Sequence, residues 1–375
     1  MNSRCPRVIV AFIAAAIAGV PAASRADTAL SPDMAELSGL GLVEHPRAAR
    51  DIPGWKKPTK AVVWTDSPER LAWFQAAVPG VTLVAAATPE DAMAHAAGAQ
   101  ALVGFCDVAL VDAAKDLHWL QLPSAGLNSC GRIPKLQEPD AVVTNMQRVF
   151  GPPIGEHVIA LMLALTRGLD GYVAAQRDRR WDDEAVPGSR LWEVNGKTML
   201  VVGLGGIGTS TAQMAHSLGM RIIATRNSSR DKPDFVDYVG LSDELPDLIS
   251  QADVVVNATP LTPQTRGLFN AALFAKMKKS AYFINIGRGQ SVVQADLVAA
   301  LNGGVIAGAG LDVTDPEPLP KDNPLWTAAN VIITPHVSSY SDMRTDRVWL
   351  LMRENLRRYA AGDRLLNVVD LKRGY

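Results

Sequence analysis

Arg288, Glu317 and His336 each lie in a short segment that follows a β-rich run. In open α/β sheets, ligands bind at the carboxyl ends of the strands. A fixed cation beside a side chain that exchanges protons can stabilise negative charge forming on an oxygen while a proton is transferred. Each residue alone is weak evidence, because a lone histidine is more often structural and an arginine after a strand is usually solvated or paired. Their meaning depends on the elements that position them.

A glycine-rich loop precedes these segments. Residues 203–208 read Gly-Leu-Gly-Gly-Ile-Gly, after a strand-like run at 199–202 and before a helical run that reaches Leu218. In this context the first glycine permits a tight turn, the second lets the backbone approach a pyrophosphate, and the third lets the helix pack against the strand. The alternative is a glycine-rich turn without a ligand. The predicted dinucleotide contacts in this glycine loop are Gly203, Gly205, Gly206, Ile207 and Gly208.

The end of the next predicted strand bears on which dinucleotide binds. About 20 positions after the loop, an acidic residue normally accepts hydrogen bonds from the adenine ribose, but Arg226 stands there. A guanidinium cannot accept those bonds, but it can clamp a 2′-phosphate, with Asn227, Ser228, Ser229 and Arg230 as nearby donors. The sequence therefore predicts NADP over NAD. In the alternative, Arg226 stacks on the adenine and both cofactors bind.

The positioning elements form two series of short β-rich runs that alternate with helical runs. The predicted strands are 61–65, 81–84, 101–105 and 119–122, then 198–202, 221–225, 253–257, 281–286, 306–311 and 331–334. Such alternation predicts an α/β chain with two doubly wound parallel-sheet domains. The Gly-Pro-Pro at 151–153 is interpreted as a hinge before an apolar helix at 155–169, and residues 341–361 as a final helix.

Composition excludes several classes of protein. The chain has 375 residues, 48% hydrophobic and 20% charged, which argues against disorder, collagen and a disulfide scaffold and favours two domains. With 37 Lys and Arg against 38 Asp and Glu, it has no electrostatic footprint for nucleic acid, so a small-molecule partner is predicted. His95, His118, His157 and His216 show no metal-ligand pairing with Cys or acidic residues, so no metal is predicted.

The N-terminal residues 1–26 resemble a secretory signal peptide. A positive start with Arg4 and Arg7 precedes an uncharged run at 8–20, which is too short to span a bilayer. Export to the periplasm without stable membrane insertion is therefore expected, whereas a translation start at Met34 would leave a cytoplasmic protein. Residues 27–58 carry little pattern and are interpreted as a loosely held arm. Beyond the leader only Cys106 and Cys130 remain, and the sequence leaves their pairing open.

Taken in order, these motifs resemble the D-isomer-specific 2-hydroxyacid dehydrogenase family from about residue 60 onward. Further matching stretches are 124–127, 155–161, 259–267 and 323–326. The resemblance implies a Rossmann nucleotide-binding domain at 149–336, inserted into a flavodoxin-like substrate domain that spans 34–148 and is completed by 337–375. It also implies a homodimer that pairs through the nucleotide domain.

The resemblance assigns the catalytic roles. Arg288 would bind the substrate carboxylate and keto oxygen, His336 would act as acid and base, and Glu317 would be the partner of His336. Glu317 lies five residues beyond Asp312, as the family spacing requires. A buried carboxylate beside the imidazole would raise its pKa and keep His336 protonated near neutral pH for reduction.

The resemblance also places the ligand contacts. Asp312 would face the nicotinamide carboxamide, although it could instead cap the next turn. The residues expected along the nicotinamide ribose are Thr259, Pro260 and Ile286, and those whose backbone N–H groups would meet the substrate carboxylate are Ser124, Ala125, Gly126 and Leu127. Asn128 and the pair Ser338-Ser339 depart from the family pattern, which leaves the substrate's side chain open.

These features bear on three functions. The leading hypothesis is an NADP-preferring reductase of small 2-keto acids, of the glyoxylate or hydroxypyruvate type, with oxidation of the D-2-hydroxy acid as the reverse reaction. The alternative is a dinucleotide-sensing binding protein of the corepressor type on the same fold. A formate or phosphite dehydrogenase variant is disfavoured, because formate enzymes of the family lack the glutamate found here at Glu317.

Overall fold

The computed structural model describes residues 36–127 and 130–371. The predicted leader at 1–26, the alternative start at Met34 and the departure at Asn128 lie outside the described residues.

Two parallel sheets form the framework. The five-stranded sheet has the order β2-β1-β3-β4-β5, with β1 Lys60–Trp64, β2 Thr82–Ala86, β3 Ala101–Val103, β4 Trp119–Gln121 and β5 Val142–Thr144. The seven-stranded sheet has the order β12-β11-β10-β9-β6-β7-β8, with β6 Thr198–Val202, β7 Arg221–Arg226, β8 Tyr238–Leu241, β9 Val254–Asn257, β10 Tyr282–Asn285, β11 Gly308–Leu311 and β12 Val331–Ile333. The first order is that of flavodoxin and the second extends that of the Rossmann fold. The predicted fold class is confirmed.

Helices cover the faces of both sheets. They are α1 Pro68–Ala77, α2 Pro89–Met93, α3 Val108–Ala113, α4 Gly151–Thr166, α5 Leu169–Arg177, α6 Gly206–Ser217, α7 Leu245–Leu248, α8 Ala271–Phe274, α9 Gln294–Asn302 and α10 Arg344–Ala361. Capping explains where the first of them begins, because the Ser67 hydroxyl accepts from the Arg70 N–H and Pro68 needs no partner in the first turn. Over the described residues no single helix is long and apolar enough to cross a membrane; α4 and α5 pass that test only together, bent by 72°.

Two strands and one helix start differ from the sequence prediction. β5 and β8 were not predicted: β5 is a run of three residues and β8 contains a glycine. Pairing with β4 and β7 makes these segments strands. The Gly-Pro-Pro segment does not precede α4 as a hinge but begins it, because proline fits the first helical turn.

The prediction of a loosely held arm is wrong for its described part, 36–58. Leu37 and Ala49 are buried, and the Ala49 N–H donates to the Asp363 carbonyl at 2.8 Å. The His45 N–H likewise donates to Leu365 O. The sequence hides these contacts because the partners are more than 300 residues away.

The chain returns to the first sheet at its C-terminal end. On α10 the Asn355 side-chain amide donates to Gln121 Oε1 of β4 at 2.8 Å, and the Tyr359 ring packs 4.9 Å from that of Trp119. Val369 then donates its N–H to the Val143 carbonyl of β5. The seven-stranded domain is thus inserted between two parts of the five-stranded domain.

Candidate active site

His336 and Glu317 are brought together at the edge of the seven-stranded sheet. They follow β12 and β11, which are neighbours, and His336 Nδ1 lies 2.8 Å from Glu317 Oε2. A carboxylate can only accept, so Nδ1 carries the proton and Nε2 is left to face a ligand. The other carboxylate oxygen accepts from the Thr314 N–H at 3.0 Å, which orients Glu317.

The prediction that this carboxylate is buried is wrong. The side chain of Glu317 is 39% exposed and that of His336 is 48% exposed. The physical reason is that β12 is the outermost strand of its sheet, so no further strand covers the loop that carries His336.

Asp312 holds the turn that presents the histidine. Its side chain is fully buried, and its two oxygens accept from the backbone N–H groups of Val337 and Ser338, each at 3.0 Å. The His336 N–H donates to the Asp312 backbone carbonyl at 2.8 Å. These bonds stabilise His336 at φ 55°, a left-handed conformation that costs a residue with a Cβ some energy. Asp312 therefore caps this turn, the alternative weighed for it from the sequence.

A hydrogen-bonded chain links Asp312 to α4. The Thr334 hydroxyl donates to Asp312 Oδ1 at 2.7 Å, and His157 Nε2 lies 2.9 Å from that hydroxyl oxygen. Since the single hydroxyl proton is already donated, His157 donates from Nε2 to Thr334. Sequence analysis missed His157 as a positioning residue, because nothing local in an apolar helix indicates a partner 177 positions away.

A buried asparagine positions the loop of Arg288. The Asn257 amide nitrogen donates to Asn285 Oδ1 at 2.8 Å and to the Ser291 hydroxyl at 2.7 Å, while its oxygen accepts from the N–H and hydroxyl of Thr259. The Ser291 hydroxyl in turn donates to the Arg288 carbonyl at 2.6 Å. Asn257 is thus fully bonded and joins two strand ends, a role that its position at the end of a strand does not show.

The Arg288 side chain keeps most of its donors available. It is half-buried, and one guanidinium nitrogen donates to the Gly287 carbonyl at 2.7 Å. Within 36–127 and 130–371 this guanidinium forms no ion pair with an acidic side chain. A guanidinium has five N–H groups in a fork that matches a carboxylate.

The turn at 124–127 follows β4 in the five-stranded sheet. All four of its carbonyl oxygens accept hydrogen bonds, from Met146 N, Asn145 Nδ2, the Ser124 hydroxyl and Cys130 N. Its four backbone N–H groups donate to no atom of the residues that the structure describes. Consecutive free N–H groups form a concave site for an anion, as the sequence prediction for Ser124, Ala125, Gly126 and Leu127 requires.

A disulfide lies beside this turn and answers the question left open by the sequence. Cys106, which follows β3, is bonded to Cys130, with their Cα atoms 5.7 Å apart. Cys130 begins a short 3₁₀ helix, 130–132, and its N–H donates to the Leu127 carbonyl at 3.0 Å. The bond ties the chain just after the turn to the body of the five-stranded domain.

Comparison with known proteins identifies the family. Residues 159–338 match the family model described as "D-isomer specific 2-hydroxyacid dehydrogenase, NAD binding domain". The chain is 36% identical over 228 residues to glyoxylate/hydroxypyruvate reductase A of Photorhabdus laumondii, covering 60% of this chain and 70% of that relative. The chain belongs to the D-isomer specific 2-hydroxyacid dehydrogenase family. It is an NAD(P)-dependent dehydrogenase by that membership.

Solved structures of this family share the fold. One is an NADPH-dependent glyoxylate/hydroxypyruvate reductase from Sinorhizobium meliloti in complex with NADP and sulfate, with TM-score 0.71 and 30% identity over 84% of this chain and 100% of that one. Another is a D-isomer specific 2-hydroxyacid dehydrogenase from Xanthobacter autotrophicus Py2 in complex with NADPH and MES, with TM-score 0.70 and 29% identity over 85% and 100% of the two chains.

The glycine loop of this dehydrogenase fits a dinucleotide. Gly203 has φ 97°, which only glycine adopts readily, and a Cβ on Gly208 would lie 2.3 Å from the Gly203 carbonyl oxygen. A Cβ on Gly205 would instead meet no atom within 4 Å, so open space lies above the loop at that position. The first and third glycines therefore serve packing, and the second faces the space that a pyrophosphate needs, next to Gly206 and Ile207 at the start of α6.

The predicted nicotinamide-ribose residues surround the same loop. A Cβ on Gly203 would lie 3.1 Å from Thr259 N, and one on Gly287 would lie 2.8 Å from Thr259 O, so the ends of β6, β9 and β10 are in contact there. The Pro260 carbonyl accepts from the Thr265 hydroxyl, and the Ile286 N–H donates to the Asn257 carbonyl. These backbone groups are held in place by bonds within the nucleotide domain.

The predicted 2′-phosphate donors differ in their surroundings. Arg226 ends β7, and its Nε is buried with no hydrogen-bond partner among the described residues, as expected for a group that needs a ligand. Asn227 and Ser228 are exposed beside it. Arg230 instead donates a hydrogen bond to Glu244, and the Ser229 hydroxyl donates one to Asp231.

The ion pair between Arg230 and Glu244 changes the pKa of the glutamate. Hydrogen bonds from Arg230 and Tyr238, together with one from the Leu241 N–H, lower the pKa of Glu244 to about 2. Arg230 thus forms an ion pair with Glu244 on the surface, and its role as a donor near Arg226 stays a prediction.

In the part of the chain that the structure describes, no three His, Cys, Asp or Glu side chains converge as a metal site would require.

Proposed function

We propose that this dehydrogenase reduces a small 2-keto acid, of the glyoxylate or hydroxypyruvate class, to its D-2-hydroxy acid, and that it prefers NADPH to NADH. The observation that carries the proposal is the 2.8 Å hydrogen bond between His336 Nδ1 and Glu317, which leaves Nε2 free for a substrate oxygen. Relatives named glyoxylate/hydroxypyruvate reductase support the substrate class.

The side chains supply what reduction of a keto acid needs. The bound reduced nicotinamide would deliver a hydride to the carbonyl carbon. With both of its ring nitrogens protonated, His336 would donate the Nε2 proton to the carbonyl oxygen as negative charge grows there and would keep the Nδ1 proton that bonds Glu317. Arg288 would stabilise that charge and bind the carboxylate. The four N–H groups of the 124–127 turn, which donate to no atom of the residues that the structure describes, would hold the carboxylate from the other domain. In the reverse reaction His336 would accept the proton.

The preference for NADPH rests on Arg226. A guanidinium suits a phosphate and cannot accept the ribose hydrogen bonds that an acidic residue accepts. The two related structures described above hold NADP or NADPH. Replacing Arg226 by Asp should weaken NADPH binding far more than NADH binding. Equal weakening of both would contradict this assignment.

The direct test is oxidation of NADPH and of NADH by the purified chain without residues 1–26. The substrates to compare are glyoxylate, hydroxypyruvate, pyruvate and phenylpyruvate. Turnover of the first two, faster with NADPH, would support the proposal. Dinucleotide binding without turnover of any 2-keto acid would instead favour the corepressor-like binding protein.

We also propose a homodimer that pairs through the nucleotide domain. Leu169 and Val173 on α5 are 48% and 44% exposed, and Trp181 just beyond the helix is fully exposed. Leu169 and Val173 lie one turn apart on α5, and adjoining exposed apolar side chains favour a protein contact. Light scattering should give twice the chain mass, and replacement of Trp181 and Val173 by Ser should shift it toward the single chain. A wild-type mass of one chain would contradict the dimer.

Export of the chain is proposed as well, supported by the Cys106–Cys130 disulfide. Disulfides form and persist in oxidising compartments such as the periplasm and are rare in the cytosol. N-terminal sequencing of the natural protein tests this: a first residue at Asp27 would support cleavage of the leader. A protein that begins at Met34 and fractionates with the cytoplasm would contradict export.

A further inference from the structure

Arg148 lies at the dinucleotide loop, although no motif pointed to it. It belongs to the crossover from β5 to α4 and has φ 70°, a left-handed conformation. Its main chain and the base of its side chain cover the first residue of α6. A Cβ on Gly206 would lie 2.6 Å from Arg148 Cγ and 3.0 Å from its Cα. The glycine at 206 is therefore required for this arginine to approach the loop.

The guanidinium of Arg148 has no counterion in the described ranges 36–127 and 130–371. It forms no hydrogen bond or ion pair there, and neither does the guanidinium of Arg226, whose Nε is buried. Burial, followed by the positive charge of Arg226, lowers the pKa of Arg148. Both arginines adjoin the same loop, because the Leu204 N–H donates to the Thr225 carbonyl next to Arg226 at 3.0 Å and Gly206 packs against Arg148. Two cations in such a partly desolvated place cost free energy. An anion between them would offset that cost.

The position of the pair favours one phosphate of the cofactor. The pyrophosphate faces the backbone N–H groups at the start of α6, which bind it without cations. The 2′-phosphate is a monoester that carries nearly two negative charges at neutral pH, and it lies at the end of the second strand of a Rossmann fold, here Arg226. A dianion is best matched by two guanidinium groups.

We propose that Arg148 and Arg226 together bind the 2′-phosphate of NADPH, an inference that rests on the proposed cofactor preference. The Nη1 atom of Arg148 lies 3.5 Å from where a Cβ on Gly41 of the five-stranded domain would stand. Arg148 thus lies between that domain and the glycine loop at Gly206.

Equilibrium binding tests this without turnover. The wild-type chain and Arg148→Gln are titrated with NADPH, NADH, 2′,5′-ADP and 5′-AMP, and calorimetry measures the Kd of each. Loss of a hydrogen-bonded charge pair should raise the Kd for NADPH and for 2′,5′-ADP about tenfold or more, and the Kd for NADH and 5′-AMP by less than threefold. Arg148→Gly should show the same changes in Kd. Because glycine adopts the left-handed backbone without strain, this variant separates loss of the guanidinium from misfolding.

Arg179 provides a matched control, since it is exposed, left-handed at φ 58° and remote in sequence from the loop. Arg179→Gln should change no Kd. An unchanged NADPH Kd in both Arg148 variants, or an equal loss of NADPH and NADH, would overturn the inference and leave the proposed function standing. A wild-type chain that bound NADH as tightly as NADPH would overturn the cofactor preference itself, and this inference with it.

Discussion

The two edges that carry the predicted ligand groups are held in different ways. At the edge of the seven-stranded sheet, buried polar side chains hold the loops in place: the Asp312 carboxylate accepts three hydrogen bonds, and the Asn257 amide bonds through both its nitrogen and its oxygen. At the edge of the five-stranded sheet, the 124–127 turn is held by Asn145 and followed by the Cys106–Cys130 disulfide. Non-covalent bonds thus fix the groups that exchange protons, and a covalent bond constrains the turn that would bind the substrate.

This difference has an energetic consequence. Removing one member of a buried network leaves its partners without hydrogen bonds, so the damage extends beyond the residue changed. Removing a disulfide chiefly frees the unfolded chain, and here it also releases the segment just after the 124–127 turn without leaving a buried polar group unpaired. Changes at the edge of the seven-stranded sheet should therefore affect turnover, whereas changes at the edge of the five-stranded sheet should affect substrate affinity and stability.

The largest effect is expected at His336. Replacement by Asn keeps a residue that tolerates left-handed backbone but removes the acid. We expect kcat to fall on the order of 100- to 10,000-fold while the Kd for NADPH stays within about twofold. His95→Asn, at an exposed site, is the control. Near-normal turnover in the His336 variant would show that another group supplies the proton.

A smaller loss is expected for Asp312→Asn. The two carboxylate oxygens each accept a backbone N–H, so one of them would be replaced by an amide that cannot accept. The turn of His336 should shift, lowering kcat about 100-fold and the free energy of unfolding by about 1–3 kcal/mol. Asp322→Asn, at an exposed site, is the control. Weaker NADPH binding with unchanged stability would instead place Asp312 against the nicotinamide.

Removal of the Cys106–Cys130 disulfide tests the edge of the five-stranded sheet. In the double variant Cys106→Ala, Cys130→Ala we expect the KM for the keto acid to rise severalfold with kcat and the NADPH Kd little changed. Urea unfolding should show a loss of about 3.5 kcal/mol, the chain-entropy value for a closed loop of this size. A reductant should reproduce the KM change in the wild type and have no effect on the variant. A fall in kcat with an unchanged KM would contradict the assignment of turnover to one sheet edge and substrate affinity to the other.

The smallest effect is a pH dependence confined to the five-stranded domain. Burial lowers the pKa of His118 from its ordinary 6.5, although the Pro53 carbonyl and Asp140 oppose this. The unfolded chain therefore takes up a proton at a higher pH than the folded one, so this contribution to stability is present above 6.5 and is lost as the pH falls toward the lowered value.

His118→Phe checks that prediction, because a phenyl ring can still stack on Tyr359, whose ring lies 5.7 Å from the imidazole. The difference in unfolding free energy between wild type and variant should shrink from pH 7.5 to pH 5.5. A constant difference across that range would remove His118 as the cause.

Much of the fold could be predicted because its signals are local. The glycine loop, the strand ends with Arg288 and His336, and the alternation of strands and helices all depend on neighbours in sequence. The misses have the opposite character. β5 and β8 are strands through their pairing with β4 and β7, the arm at 36–58 packs on the C-terminal end of the chain, and the exposure of Glu317 depends on which strand lies outermost.

By itself, the sequence determined the order of the elements, the family and the chemical types at the strand ends, since side-chain chemistry and short-range periodicity are properties of the chain. Only the tertiary structure decided which distant groups meet. It paired Cys106 with Cys130, joined His157 to Asp312 through Thr334, and set Arg148 against Gly206 of the glycine loop. These contacts join residues far apart in sequence, and their energies arise from burial and hydrogen bonding that exist only in the folded chain.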